Sequence, residues 1–126
     1  MIDYIIETTI FKNNESLYKI VKPYLADKEF AINVISKINY DITEEKLYEL
    51  IRGYNHGLST EEINMYNKPS YTAELMREIR ICLMKGYNIP NEIVNHPYYH
   101  PALKEEKLKI YRLELEEKEL INNKKS

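Results

Sequence analysis

Most of this chain is built on a repeat of roughly 28 to 30 residues, and that repeat limits the folds it can adopt. The apolar segment at residues 47–54 aligns with residues 17–24 and with residues 75–80. Gly57 and Gly86 recur with the same period. A fixed period of this size is typical of an array of helical repeats, because each unit buries its apolar face against the next.

The repeat predicts a mainly α fold in which long and short helices alternate within a single domain of 126 residues. A long C-terminal helix would close the array. The one strand-like stretch lies near the N terminus, where apolar and polar residues alternate before a β-branched run. The predicted boundaries are a strand over residues 2–11, repeats over 15–42, 43–71 and 72–100, a helix over 101–121 and a tail over 122–126.

Helix ends are marked by similar residue types in successive repeats. Thr43 or Asp41 is suited to cap the long helix of the second repeat. Gly57 and Gly86 follow the long helices of the second and third repeats, where glycine adopts the left-handed conformation without a steric penalty. Residues 59–62, Ser-Thr-Glu-Glu, have the spacing of a capping box and predict a short helix after the long one.

The final helix carries more apolar residues than one packing contact needs. Leu108 and Leu115 share one face of a helix over residues 101–121, and Leu113 and Leu120 share another. Whichever pair the core leaves exposed would form an apolar stripe, and such a stripe usually finds a partner. The sequence therefore predicts a monomer or a dimer, and a homodimer would form through this helix.

The charge balance excludes several classes of partner. The chain has 18 Lys and Arg against 20 Asp and Glu, a net charge of −2. Proteins that bind DNA or RNA generally have a basic excess, so nucleic acid is the less favoured partner. No long unbroken apolar run is present, and the N terminus lacks the basic region of a signal peptide. We therefore expect no membrane contact and a cytoplasmic location.

Few residues are arranged for chemistry. His96 and His100 have the i, i+4 spacing of a zinc site on a helix, but Pro97 and Pro101 would interrupt a helix there. The single cysteine, Cys82, excludes an internal disulfide framework. It falls within the apolar stripe of a helix, where a thiol behaves as a small hydrophobic group. We therefore predict no catalytic residue, no bound metal and no cofactor.

Tyrosine is the residue type that points to a binding surface. Twelve tyrosines are present, and tyrosine is enriched at the energetic centres of protein interfaces. The abundance of Ile, Lys, Asn and Tyr also fits the AT-rich codons of a low-GC bacterium or its phages. Lys22, Arg52 and Arg80 recur at similar repeat positions, which indicates either ion pairs between repeats or a basic row that suits an acidic partner. The predicted partner-binding residues are Tyr54, Tyr87, Tyr98, Tyr99, Arg52 and Arg80.

The centre of the chain follows the pattern of a known repeat, in residues 51–59, Ile63, Tyr66, Pro69, Tyr71 and residues 76–80. Over residues 45–95 the chain resembles a short helical repeat of the form Gln-Met-x-Glu-Ile-Arg-x-Gly-Leu-x-x-Gly-Leu. That repeat occurs in proteins of Firmicute phages, plasmids and other mobile elements. The resemblance implies a helical-repeat fold and a mobile-element origin, and it implies no reaction.

These features favour a small non-catalytic module that binds a host protein and inhibits it. An inhibitor of a host defence system, of the anti-CRISPR type, is the specific form of this hypothesis, because the resemblance points to phages and mobile elements. The alternative is a DNA-binding regulator of helix-turn-helix type, since residues 57–63 resemble the opening of that motif. The helix that reads DNA would then carry Arg77, Arg80 and Lys85.

Overall fold

The computed structural model describes residues 10–125, and within them the chain is mainly helical, as the sequence predicts. It divides into two compact units at the junction between Tyr71 and Thr72. That junction coincides with the predicted boundary between the second and third repeats. The part before the junction is here the first unit, and the part after it is the second unit. The prediction of a single domain stays a prediction.

The N-terminal segment differs from its prediction. Residues 2–9 of the predicted strand lie outside the described residues, and its last two residues belong to a 3-10 turn at Ile10–Asn13. The turn is fixed by Asn14, whose backbone N–H donates to the carbonyl of Phe11 (3.3 Å). The side-chain oxygen of Asn14 accepts from the N–H of Leu17 (3.1 Å) and so caps the next helix. The strand therefore does not extend to Phe11.

The first predicted repeat has shorter helices than the pattern indicates. Helix α1 spans Glu15–Val21, a 3-10 turn follows at Lys22–Tyr24, and α2 spans Lys28–Asn33 before a second 3-10 turn at Ile35–Lys37. Pro23 has no backbone N–H to continue the hydrogen-bond ladder of α1. The long helix expected here therefore ends early.

Residues 43–71, predicted to be the second repeat, contain one long and one short helix. Helix α3 spans Glu44–Asn55 and α4 spans Thr60–Tyr66. Of the two candidate caps, Thr43 caps α3 and Asp41 does not. The Thr43 hydroxyl accepts from the N–H of Lys46 at 3.2 Å, which satisfies one of the N–H groups that a helix leaves unpaired at its start.

The connection between α3 and α4 is fixed by both of its predicted signals. Gly57 has a φ of +83°, the left-handed conformation in which a side chain is strained. The N–H of Leu58 donates to the carbonyl of Gly53 at 3.0 Å, which closes the end of α3. Ser59 and Glu62 then form the capping box, with each side chain bonded to the backbone of the other residue.

Helix α4 packs closely on α3 at Gly53. Tyr66 and Ile63 of α4 are fully buried. The Tyr66 hydroxyl donates to the carbonyl of Glu49 at 2.9 Å. A Cβ atom at Gly53 would overlap with the Tyr66 hydroxyl and lie 3.2 Å from Cγ1 of Ile63. Glycine is therefore required at this position for a close helix approach.

The second unit contains one short helix between two longer ones. Helix α5 spans Ala73–Met84, α6 spans Asn91–Val94 and α7 spans Pro101–Lys125. The Thr72 hydroxyl caps α5, accepting from the N–H of the third helical residue at 3.2 Å. Gly86 has a φ of +75° and ends the turn after α5, as predicted.

Helix α7 begins at a histidine cap and is longer than predicted. Nδ1 of His100 accepts from the N–H of Leu103 at 3.3 Å. The helix continues past Ile121 to Lys125, because no glycine or proline follows Ile121 to end it. Residues 122–125, predicted as a tail, are therefore helical. None of the described helices, α7 included, combines the length and apolarity needed to cross a membrane.

The core of the second unit lies where α5 packs on α7. Leu75, Met76, Ile79 and Cys82 of α5 are buried, as is Leu108 of α7. These apolar side chains supply the main driving force for packing the two helices.

An ion-pair network runs beside this core. Arg112 of α7 donates from Nε to Glu78 Oε2 (2.8 Å) and from Nη1 to Glu116 Oε1 (2.9 Å). Lys85 Nζ lies 2.8 Å from the same Glu116 oxygen. The Glu78 carboxylate raises the pKa of Arg112, and Lys85 and then Arg112 lower the pKa of Glu116. At the α5–α7 contact the two cations, Arg112 and Lys85, balance the two carboxylates, Glu78 and Glu116.

Candidate functional site

Tyr54, a predicted partner-binding residue, lines an open groove in the first unit. The groove has a volume of about 440 Å³ and lies between the start of α2, the end of α3 and the start of α4. Its lining includes Asp27, Glu29, Phe30, Tyr54, Asn55 and Ser59, and no Lys or Arg. We call it the Tyr54 groove.

The Tyr54 side chain is held in place by two rings and a carboxylate. The centroid of the Phe30 ring lies 4.5 Å from that of Tyr54, and Tyr24 meets Tyr54 edge-on at 5.7 Å. The Tyr54 hydroxyl donates to Asp27 Oδ2 at 2.8 Å, while Asp27 Oδ1 accepts from the N–H of Phe30. These bonds, and the Tyr54 bond most of all, lower the pKa of Asp27. The carboxylate is therefore charged at neutral pH.

The predicted basic residues of the first unit contact other tyrosines. Lys22 Nζ lies 6.0 Å from the ring centroid of Tyr18. Arg52 pairs with Glu49 at 2.6 Å, and its guanidinium lies 5.9 Å from the ring centroid of Tyr48. The Arg52 side chain is half-exposed, and it is part of a local ion pair within α3.

Arg80 is not in the position equivalent to Arg52. The caps at Thr43 and Thr72 are separated by the same interval as the glycines at positions 57 and 86, and that interval makes Ile81 the structural counterpart of Arg52. Arg80 itself is only 8% exposed, and its Nη1 donates to Sδ of Met84. The alignment that places Arg52 and Arg80 in one basic row is therefore shifted by one position.

Tyr87 is oriented with its hydroxyl buried. Its N–H donates to the carbonyl of Cys82 at 2.9 Å. Its hydroxyl lies near Glu119 and makes no hydrogen bond of standard geometry with the described residues. Burial, followed by the Glu119 carboxylate, raises the pKa of Tyr87 to about 12. The polar end of this predicted contact residue is therefore turned away from solvent.

Tyr99 lines a second groove, formed in the second unit by α6, α7 and the loop that joins them, and the Tyr98 ring meets His96 of the same groove edge-on at 5.9 Å. The groove has a volume of about 460 Å³ and is lined by Glu92, Ile93, His96, Tyr99, Lys107, Ile110, Tyr111 and Glu114. The Tyr99 ring stacks on His96 with centroids 3.6 Å apart, and Lys107 Nζ lies 5.1 Å from the Tyr99 centroid. Tyr98 is 86% exposed. The structure thus brings these two predicted residues together, and we call this place the Tyr99 groove.

The exposures of the four leucines of α7 show which pair faces the core and which pair faces solvent. Leu108 is fully buried and Leu115 is half-buried, whereas Leu113 and Leu120 are 47% and 59% exposed. The exposed apolar residues of α7 are Ile110, Leu113, Leu120 and Ile121. Ile110 also lines the Tyr99 groove, so the stripe starts at that groove.

The residues weighed for chemistry have other roles in the structure. Burial, and next the charge of Glu78, raises the pKa of Cys82 to about 11, so its thiol is protonated at neutral pH. Nδ1 of His96 accepts from the N–H of Tyr98, and Nδ1 of His100 caps α7. Among the described residues no three His, Cys, Asp or Glu side chains come together as a metal site would require.

The basic residues predicted for a DNA-reading helix are in three different environments. Arg80 is buried, Lys85 is paired with Glu116, and Arg77 is exposed. A row of cations on one exposed helix face is what phosphate contacts require. Helix α5 does not offer such a row.

Sequence reasoning missed three charged residues that the structure makes prominent. Asp27 and Glu29 line the Tyr54 groove, and Lys46 is only 8% exposed. Lys46 Nζ donates to the carbonyls of Lys68 (3.4 Å) and Pro69 (3.2 Å), and desolvation lowers its pKa. The position of Asp27 directly before a helical segment is the one signal that could have identified it. No local pattern marks the burial of Lys46, because both of its hydrogen-bond acceptors are distant from it in the sequence.

Comparison of the chain with family models, with curated proteins and with solved structures gives no match. The resemblance to the repeats of mobile elements therefore stays a prediction. The function has to be argued from the two grooves and from the exposed face of α7.

Proposed function

We propose that this chain is a small non-catalytic protein-binding module that binds and inhibits a host protein. Its specific form would be an inhibitor of a host defence system, of the anti-CRISPR type, encoded by a phage or mobile element of a low-GC bacterium. The repeat resemblance supports the origin. The finer fold that accompanies this proposal is a helical-repeat array in which α3–α4 and α5–α6 are two copies of one unit.

The observation that carries the binding role is the exposed tyrosine beside the Tyr99 groove. Tyr98 is almost fully exposed, and the adjacent Tyr99 ring is fixed by its stack on His96. A rigid tyrosine offers a large contact area with little entropy to lose, which is why tyrosines dominate the energetics of many interfaces. A structural role for Tyr98 would need burial, and this ring has almost none.

The apolar stripe of α7 supports self-association as a second part of the proposal. Leu113 and Leu120 are one heptad apart and lie on the same exposed face. We propose that this face forms a homodimer, or that it is covered when the partner binds the adjoining groove. The environments of Arg80 and Lys85 disfavour the DNA-binding alternative.

Affinity capture from a lysate of a low-GC bacterium, followed by quantitative mass spectrometry, tests the binding role. We expect Tyr98→Ala and Tyr99→Ala to lower the capture of one discrete host protein by about tenfold or more, since tyrosine hot spots contribute about 2 kcal/mol. Tyr48→Ala is the matched control, because Tyr48 is an exposed tyrosine of the first unit. Equal loss of capture for all three variants would contradict the assignment, as would a fall in melting temperature that parallels the loss.

Sedimentation equilibrium of the purified chain tests the homodimer. The double variant Leu113→Glu with Leu120→Glu should convert a dimer to a monomer. Leu108 is buried and gives no comparable test, so the exposed pair Ile110→Ala with Ile121→Ala provides a second, milder variant. A parent chain that sediments as a monomer at all concentrations rejects self-association and leaves the host-binding role standing.

A further inference from the structure

The Tyr54 groove combines negative charge with one accessible aromatic ring. Asp27 and Glu29 bring two carboxylates to its lining. The half-buried Tyr54 ring packs on Phe30, which is only 1% exposed and leaves no ring face free for a ligand. Within residues 10–125 neither carboxylate forms an ion pair, and no lining residue is a Lys or Arg. The two carboxylates are therefore not neutralised by any cationic side chain of the lining.

The Asp27 carboxylate is fixed in position without being neutralised. It is held by neutral donors, the Tyr54 hydroxyl at 2.8 Å and the N–H of Phe30 at 3.2 Å. The rings of Tyr24, Phe30 and Tyr54 are in mutual contact, with centroids 4.5 to 6.3 Å apart. Since these contacts order the charge and the rings before any ligand arrives, little ordering remains to be done on binding.

A carboxylate next to an aromatic ring forms a favourable binding environment for a guanidinium group. The guanidinium plane stacks on the face of a ring, and its N–H groups bind carboxylate oxygens. A lysine ammonium lacks this planar shape, so it gains less from the exposed part of the Tyr54 ring. A volume of about 440 Å³ leaves room for a whole side chain with part of its backbone.

We propose that the Tyr54 groove binds an arginine side chain presented by a partner protein. The inference deepens the proposed protein-binding function and rests on it. It reverses the charge expected from the sequence, in which Lys22 and Arg52 suggested an acidic partner: those two cations contact Tyr18 and Tyr48, while the groove at Tyr54 is acidic. The partner segment is thus basic at its point of contact with the first unit.

Titration of the ¹⁵N-labelled full-length chain with a capped Gly-Arg-Gly tripeptide, followed by NMR at low salt, tests this proposal without the host partner. We expect shifts confined to the amides around Phe30, Tyr54 and Leu58. The same peptide with citrulline, which has the shape of arginine without its charge, should bind about tenfold more weakly. The lysine peptide should bind severalfold more weakly than the arginine peptide.

Two variants and one matched control localise the effect. Glu29→Gln should weaken arginine binding about threefold and Asp27→Asn about fivefold, as expected for exposed charge pairs. Asparagine is also a good helix cap, so the second variant keeps the start of α2. Glu45→Gln removes an equally exposed first-turn glutamate outside the groove and should leave binding unchanged.

Three results would overturn the proposal: citrulline binding as tightly as arginine, lysine doing the same, or Glu45→Gln weakening binding as much as Glu29→Gln. Failure of the peptide to bind at all also rejects it. In that case the capture experiment with Tyr98 and Tyr99 still decides the protein-binding function, because those residues belong to the other unit.

Discussion

The helix pair α3–α4 of the first unit and the pair α5–α6 of the second share the length of the long helix and the residue types at its two ends. Both long helices have 12 residues, both are capped by a threonine, and both end at a glycine with positive φ. The counterparts are separated by one constant interval along the chain. Local signals of this kind depend on a few neighbouring residues only, so similar residue types at these places give the two long helices similar ends.

The two pairs differ in what covers the long helix. In the first unit, α4 has seven residues and its Tyr66 packs over Gly53. In the second, α6 has four residues without a side-chain cap, and α5 packs mainly on α7. The counterpart of Gly53 is Cys82, which no short-helix tyrosine needs to approach. Two long helices with the same caps and lengths are thus covered in different ways. The short helix α4 packs on α3, whereas the long helix α7 packs on α5.

A buried glutamate at the same place in each long helix shows the difference most clearly. Glu49 and Glu78 occupy equivalent positions in the two helices, and both are nearly inaccessible. Glu49 pairs with Arg52 of its own helix, whose side chain is 51% exposed. Glu78 pairs with Arg112 of α7, whose side chain is 13% exposed. The first pair is local to one helix, and the second connects two helices.

Removal of Arg112 is expected to have the largest effect of the changes considered. Arg112→Met leaves Glu78 buried without its cation and should lower the free energy of unfolding by about 3 kcal/mol. Chemical denaturation at pH 7 measures the loss. Arg52→Met is the matched change in the first unit and should lower it by less than Arg112→Met does, because Arg52 is half-exposed and water partly screens its attraction to the buried Glu49. Equal effects would show that the two ion pairs are equivalent after all.

Substitution of Gly53 tests the close helix approach of the first unit. Gly53→Ala should lower the free energy of unfolding by about 2 kcal/mol, since the new methyl group displaces the Tyr66 hydroxyl from the Glu49 carbonyl. In the Tyr66→Phe background the same change should be milder, because the overlapping oxygen is absent. A double-mutant cycle by denaturation measures this coupling. Additive effects would mean that position 53 is not limited by Tyr66.

The two connecting glycines should respond alike, in contrast to the previous changes. Gly57→Val and Gly86→Val should each lower the free energy of unfolding by about 1 to 2 kcal/mol, because a β-branched residue is strained at positive φ. A Cβ atom would meet no neighbour within 4 Å at either place, so the effect comes from the backbone alone. Thermal unfolding of both variants checks this, and a melting temperature equal to the parent's would contradict it.

The free energy of unfolding should fall at acid pH, with one small contribution from a carboxyl group in each unit. The pKa values of Asp27 and Glu116 are lowered in the folded chain. Stability from these groups is therefore present above their unfolded pKa of about 4 and is lost as the pH falls through their lower folded values. NMR titration of the side-chain carboxyl carbons measures both. Asp27→Asn and Glu116→Gln should each remove only its own part of the pH dependence, and an unchanged acid limb in both would refute this.

Sequence reasoning succeeds where the cause is local and fails where it is distant. Thr43, Gly57 and the Ser59–Glu62 box can be read directly, because each acts within a few residues of itself. The early end of α1 at Val21 is not predicted, because the prediction follows the repeat pattern and gives no weight to Pro23. The acidic groove could not be predicted, because Asp27 and Tyr54 are joined only by the fold.

The prediction of which residues are equivalent between the predicted repeats is wrong for a related reason. Apolar residues align in two registers that differ by one position, and only the capped ends distinguish the two. The wrong register places Arg80 in an exposed row, whereas it is buried. A pattern of residue types thus predicts the elements well and their exposed faces poorly.

Photo-crosslinking from single positions tests most directly whether the surface beside the Tyr99 groove binds the host protein. A benzophenone amino acid replaces Tyr98 in one variant and Tyr48 in another, and each is irradiated in a host lysate. Both side chains are exposed, but Tyr98 contacts His96 of the Tyr99 groove, whereas Tyr48 lines neither groove. We predict one discrete adduct from position 98, lost when Tyr99→Ala is added, and none from position 48. The same adducts from both positions, or an adduct from position 48 alone, would contradict the proposal.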